Sequence, residues 1–139
     1  MIATALIISA HRAGSEPNGA YAMKRATNLM QDLVLMGCSP VIVQGVCAGE
    51  SEISLYVPNH RDKLTGQRIR NLLQTYGQES AIEIAYGQMF LHTVGKNYPR
   101  LLGLTRYTEQ KPGTPDYTYL PWEQKFLSCT QERTRLSNF

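Results

Sequence analysis

A chain of 139 residues, 42% hydrophobic and 18% charged, has room for one domain with one core and lacks the polarity of a disordered tail. The formal charge of +3 is scattered, and its densest basic stretch, Arg61 to Arg70, reads as the solvated face of a helix rather than a nucleic-acid groove. Cys38, Cys47 and Cys129 share no CxxC or His-Cys metal spacing, so they predict reduced thiols, no metal site and a cytoplasmic location.

Met1 and Ile2 lead into ATALIISA, with no preceding basic residue and a polar stop at His11–Arg12, which predicts neither a signal peptide nor a membrane span. Residues 3–10 instead suit a strand buried on both faces. The segment HRAGSEPNG has loop composition, and its Ser15 or Asn18 is placed to cap the next element. Ala22, Ala26, Leu29, Met30, Leu33 and Val34 form one stripe of a helix over 21–36, stopped by Gly37. Pro40-Val-Ile-Val and Ile53 to Val57 read as the next two strands, linked through CAGES. Asp62 or Asn59 is then placed to cap a second helix with the stripe Thr65, Ile69, Leu72, Leu73 and Tyr76, stopped by Gly77. The alternation of SAIEIAY predicts a strand over 80–86, and a turn at Gly87 leads to a further strand over 88–94.

This β-α-β-β-α-β order predicts an α+β, ferredoxin-like fold, an open antiparallel sheet with both helices on one face. Residues 1–95 form the predicted core, and 96–139 an irregular extension packed on the same domain, with YTEQKPGTPDYTYLPW resembling an irregular hairpin. The other sheet face needs a cover, either that extension or a neighbouring subunit, and a homo-oligomer built on sheet faces is expected.

The phosphate-loop pattern, GxGxxG, HExxH, GxSxG and the EF-hand loop are absent, so attention falls on polar residues at strand ends. Ser9, His11 and Arg12 end the first strand, where either ligand contact or plain strand termination accounts for them. Glu50, Glu52 and Ser54 open the third strand. Its two acids lie on one side of an extended chain, as an acid–base pair, a cation site or an ordinary charged entry. Gln78 and Glu79 open the fourth strand and approach Glu52 if the two strands start at the same end. His60 and His92 lack a partner at ligand spacing and read as surface and strand residues, and no base stands beside Cys47.

Taken together, ALIISAHR, NLMQDL, VQGVCAGESEISLYV and YGQESAIEIAYGQ resemble the phage enzymes that degrade S-adenosylmethionine, over roughly residues 5 to 94. The resemblance implies a trimer related in shape to PII-like signalling proteins, with the ligand between subunits in the host cytoplasm. It also implies lyase chemistry without a cofactor, giving methylthioadenosine and homoserine lactone, with hydrolysis to homoserine as the variant outcome. Carried over by position, Glu52 with Ser54 matches the functional acid, Ser9 to Arg12 the first-strand end, and Gln78 the fourth-strand entry. Glu50 is the fallback for the role of Glu52, Glu79 is a further substrate contact, and Cys47 stands where the resemblance leads one to expect a Tyr. A PII-like oligomer that only binds an adenine-containing molecule, or a protein that acts on a host partner, is the alternative.

Overall fold

The computed structural model describes residues 4–10 and 19–130. Its elements run β1 (Thr4–Ser9), α1 (Ala20–Leu35), β2 (Val41–Cys47), β3 (Glu50–Pro58), a 3-10 turn (His60–Asp62), α2 (Gly66–Tyr76), β4 (Ser80–Ala85), β5 (Gln88–Thr93), β6 (Arg100–Thr108), β7 (Tyr117–Leu120) and β8 (Lys125–Cys129).

The predicted ferredoxin-like open sheet is not what forms. The eight strands close into an antiparallel barrel in the order β1-β3-β2-β7-β8-β6-β5-β4. Residues expected as an irregular extension supply β6, β7 and β8. The stretch expected as a hairpin spans β6 and β7, which do not pair with each other; both pair with β8. The sheet face that an open fold would offer to a second subunit is thus covered from within the chain and becomes the barrel interior.

Strand alternation divides the apolar residues between two cores. On β1, Leu6 and Ile8 point outward into a cluster with Leu29 and Leu33 of α1, Leu55 and Val57 of β3, and Ile69 and Leu73 of α2. Ala5 and Ile7 point inward, where they meet Val43, Tyr56, Ile84, Met89, Leu120 and Leu127. β1 is therefore apolar at nearly every position because each of its faces has a core to fill.

Local chemistry fixes the helix ends. After α1, the Cys38 and Gly37 amides donate to the carbonyls of Leu33 and Val34 at 3.0 and 2.9 Å, a closure that needs the positive φ of 90° at Gly37. The cap of α2 is Thr65, whose Oγ1 accepts the Arg68 amide at 3.2 Å, and not Asn59 or Asp62. Those two belong to the preceding turn, Asn59 in the left-handed region at its start and Asp62 at its end. Ser15 and Asn18, the caps expected for α1, lie outside the described residues.

On the opposite side of the barrel, β6 turns past β5 through a bulge, in which Met89 faces Gly103, Phe90 faces Leu101 and Leu102 is the extra residue. Leu102 packs into the barrel core. A side chain at Gly103 would meet Cys129 Sγ at 3.0 Å, so two successive residues crowd the interior only because one of them is glycine.

On the helix side of β4 lies a buried charge. Glu83, 4% exposed, accepts hydrogen bonds from His60 Nε2 at 2.6 Å and Arg61 Nε at 2.8 Å on one oxygen, and from His92 Nε2 at 2.7 Å on the other. His60, expected at the surface, is instead fully buried, and both it and His92 have a partner that their sequence spacing concealed. Burial by itself raises the carboxyl pKa, but the hydrogen bonds from His60, His92 and Arg61 outweigh it and hold the group far below its ordinary 4.5. The folded chain therefore binds fewer protons at Glu83 than the unfolded chain, and the stabilisation is complete above pH 4.5 and lost on acidification below it. Glu83→Gln places an amide donor against a ring N–H and is expected to cost about 3–5 kcal/mol in urea denaturation at pH 7. The same variant is expected to show a shallower loss of stability between neutral pH and pH 3, and an unchanged acid limb would contradict this assignment.

Candidate functional site

The barrel is filled at one end and hollow at the other. At the filled end, Tyr56, Ile84 and Leu120 are essentially inaccessible, and Trp122 from the β7–β8 turn packs on Tyr56 with ring centroids 5.2 Å apart. Towards the other end the inward side chains become small or polar. Ser9 follows Ile7 on β1, Ser54 and Glu52 precede Tyr56 on β3, and Gly45 replaces a side chain on β2. The result is a cavity of about 630 Å³, within the range that encloses a small-molecule ligand.

Its deeper wall is an apolar belt of Ile7, Ile82, Met89, Leu91, Leu102 and Leu127. Its mouth carries Glu52, Glu79 and Asp116 together with Gln78, Ser80 and Thr118. Among the described lining residues there are three acids and no Lys or Arg, so the mouth favours a cationic group while the belt favours an apolar body.

Five of the eight residues singled out in the sequence, Ser9, Glu52, Ser54, Gln78 and Glu79, line this one cavity. Ser9 and Ser54 are cross-strand partners, and Ser9 Oγ donates to the Ile53 carbonyl at 3.2 Å. Glu50 lies at the exposed hairpin tip opposite Cys47, outside the lining, so Glu52 is the acid that the fold turns inward. His11 and Arg12 lie outside the described residues.

Asp116 is a site residue with no evident sequence signal, brought in by barrel closure. Its Oδ1 accepts the Ala48 amide at 2.8 Å, and the Gly49 amide donates to the Pro115 carbonyl at 3.0 Å, which ties the β2–β3 hairpin tip to the strand entry of β7. Cys47 sits within this group. Partial burial pushes its thiol up, and the neighbouring carboxylates of Glu52, Asp116 and Glu50 push it further. The thiol therefore stays protonated at neutral pH and is a poor nucleophile.

Arg25 is another residue whose role the sequence concealed, since it occupies an ordinary polar position of α1. Its Nε donates to the Ala10 carbonyl at 2.6 Å and its guanidinium also reaches the Tyr76 carbonyl. It thereby joins the end of β1 to the end of α2, directly before Gly77 and Gln78 of the cavity mouth.

Gly45 keeps the cavity open beside Glu52, its cross-strand partner. A methyl group there would stand 3.0 Å from Ser54 Oγ but 3.7 Å from Ser54 Cβ, so the clash is with the hydroxyl alone. Gly45→Ala is expected to cost about 1–3 kcal/mol, the usual range for overpacking. Adding Ser54→Ala should recover part of that loss, as a double-mutant cycle in urea would measure.

Among the described residues, no group of three or more His, Cys, Asp or Glu is placed to hold a metal ion, and no helix is long and apolar enough to cross a membrane. No protein-family model and no curated protein matches the sequence.

Proposed function

We propose that the barrel cavity binds S-adenosylmethionine and promotes its intramolecular breakdown to methylthioadenosine and homoserine lactone. The observation that carries this reading is the convergence of Ser9, Glu52, Ser54, Gln78 and Glu79 on one cavity that is acidic at its mouth and apolar within. S-adenosylmethionine has the matching polarity, an ammonium and a sulfonium on one arm and a flat adenosyl group on the other.

In the reaction, the substrate's own carboxylate oxygen attacks its γ-carbon. A C–O bond forms as the C–S bond breaks, the bonding pair returns to sulfur, and the two opposite charges disappear together. No added group or electron is required. Removing water from the two charges and folding the methionine arm into attacking geometry both accelerate such a step, with orientation worth up to about 7–11 kcal/mol in favourable systems.

Glu52 pairs with the ammonium and holds the arm at the mouth. Ser9, Ser54 and Gln78 supply hydrogen bonds to the remaining polar groups, and the belt around Ile82 and Leu127 takes the adenosyl body. The acids at the mouth repel the substrate carboxylate, which turns it back towards the sulfonium. In a hydrolytic variant Glu52 deprotonates a water instead, and homoserine forms without passing through lactone. The predominance of apolar residues in the deeper wall also favours a second reading, in which the barrel binds the adenosyl compound without turning it over.

Chromatography of S-adenosylmethionine incubated with the purified chain separates these readings. Methylthioadenosine together with early homoserine lactone is expected, and Glu52→Gln should lower the rate at least about tenfold, the loss of one charge-assisted hydrogen bond. Prompt homoserine without lactone would replace the lyase with the hydrolase. Saturable binding without methylthioadenosine would leave only the binder, and an absence of binding would remove both.

A further inference from the structure

We propose that a second cleft, on the outer wall of the barrel between β6, β8 and the loop of residues 109–116, binds a small oxyanion of the phosphate class. The cleft has a volume of about 260 Å³ and is independent of the activity assigned to the interior cavity. Arg106 and Ser128 face each other across β6 and β8, on the outer side of the wall whose neighbouring residues Tyr107 and Leu127 pack inward. Lys111 closes the cleft from the loop, Thr130 adds a hydroxyl donor, and Thr108 and Thr114 line the cleft as part of its braced wall.

The charge balance points to the ligand. Arg106 and Lys111 both line the cleft, no Asp or Glu does so, and neither cation has a carboxylate partner among the described residues. Lys111 is held instead over the Tyr117 ring, with Nζ 5.8 Å from its centroid. An anion that enters therefore meets two cations without displacing an existing ion pair. The guanidinium of Arg106 presents paired donors that match adjacent oxygens of a phosphate better than a single-atom anion.

The walls are built before any ligand arrives. Thr108 Oγ1 donates to the Gln110 carbonyl and Thr114 Oγ1 to the Asp116 carbonyl, each at 2.9 Å, so the loop is braced at both ends. Thr130 Oγ1 accepts the Leu104 amide at 3.1 Å, which leaves its own proton for an incoming oxygen. Ser128, 5% exposed, and Cys129 border this cleft and the interior cavity alike, so β8 is the wall between the two.

The test is a titration of the ¹⁵N-labelled full chain with sodium phosphate, against sodium chloride at matched ionic strength, following backbone amide shifts. Saturable shifts confined to residues 106–114 and 128–130 are expected with phosphate and not with chloride. Arg106→Ala should weaken phosphate binding at least about tenfold, and Arg106→Lys should restore it only in part, because a point charge lacks the paired donors. Lys111→Ala, a change at an exposed loop position, gives the same direction should the Arg106 variants fail to fold. Ribose 5-phosphate, which lacks the adenine proposed for the interior cavity, separates the sources as a second probe, since tighter binding than inorganic phosphate indicates a phosphorylated metabolite and equal binding indicates the free ion. Identical shifts with chloride, or phosphate affinity unchanged in both Arg106→Ala and Lys111→Ala, would overturn the proposal.

Discussion

The structure depends on one pairing, that of β8 with both β6 and β7, because it joins two sheet edges that would otherwise face solvent. Unpaired strand edges carry rows of free N–H and C=O groups, and full closure is the arrangement that removes them. Closure also converts one face of the sheet from a surface to an interior. An eight-stranded barrel is wide enough to be filled by side chains or to hold one small ligand. This chain uses both options, with Tyr56 and Leu120 filling one end while Gly45, Ser9 and Ser54 leave the other hollow.

The helices complete the division of labour. They pack against the arc formed by β1, β3, β4 and β5, where Leu6, Ile8, Leu55 and Val57 provide much of the apolar contact, and β6 keeps Leu101, Leu104 and Arg106 exposed. A helix-covered half thus carries Ser9, Glu52 and Ser54, and a half without helices among the described residues carries Asp116 and Thr118. The site draws on both, and the hydrogen bonds from Ala48 and Gly49 to the β7 entry hold the two halves together at the mouth.

How much of this was legible in the sequence follows from how many faces each segment buries. β1, α1, α2 and β4 were readable because a residue buried on either face of β1, or on one face of each helix, leaves an apolar pattern of the right period. Ser9, Glu52, Ser54 and Gln78 were legible as strand-end polar residues following such patterns. β6, β7 and β8 left a weaker trace. Gly103 sits at a bulge that shifts the alternation, β7 has only four residues, and prolines 112, 115 and 121 punctuate the run. Pairing across the barrel is a long-range property, with Gln44 opposite Tyr119, so nothing local to either strand announces it. The open-sheet expectation followed from the β-α-β-β-α-β order of the first 95 residues, with the proline-broken remainder taken as an irregular extension, so the three strands that close the barrel went uncounted. His60, Glu83 and His92 were hidden for the same reason, being separated in the chain and joined only by the fold.

The two-sided burial of β1 has a practical consequence for anyone redesigning the molecule. Adjacent residues along this strand answer to different masters, Leu6 and Ile8 to the helix layer, Ala5, Ile7 and Ser9 to the lumen. Variation at Ser9 alters the lumen, variation at Ile7 alters both the lumen and the core beneath it, and variation at Leu6 or Ile8 falls on the helix layer.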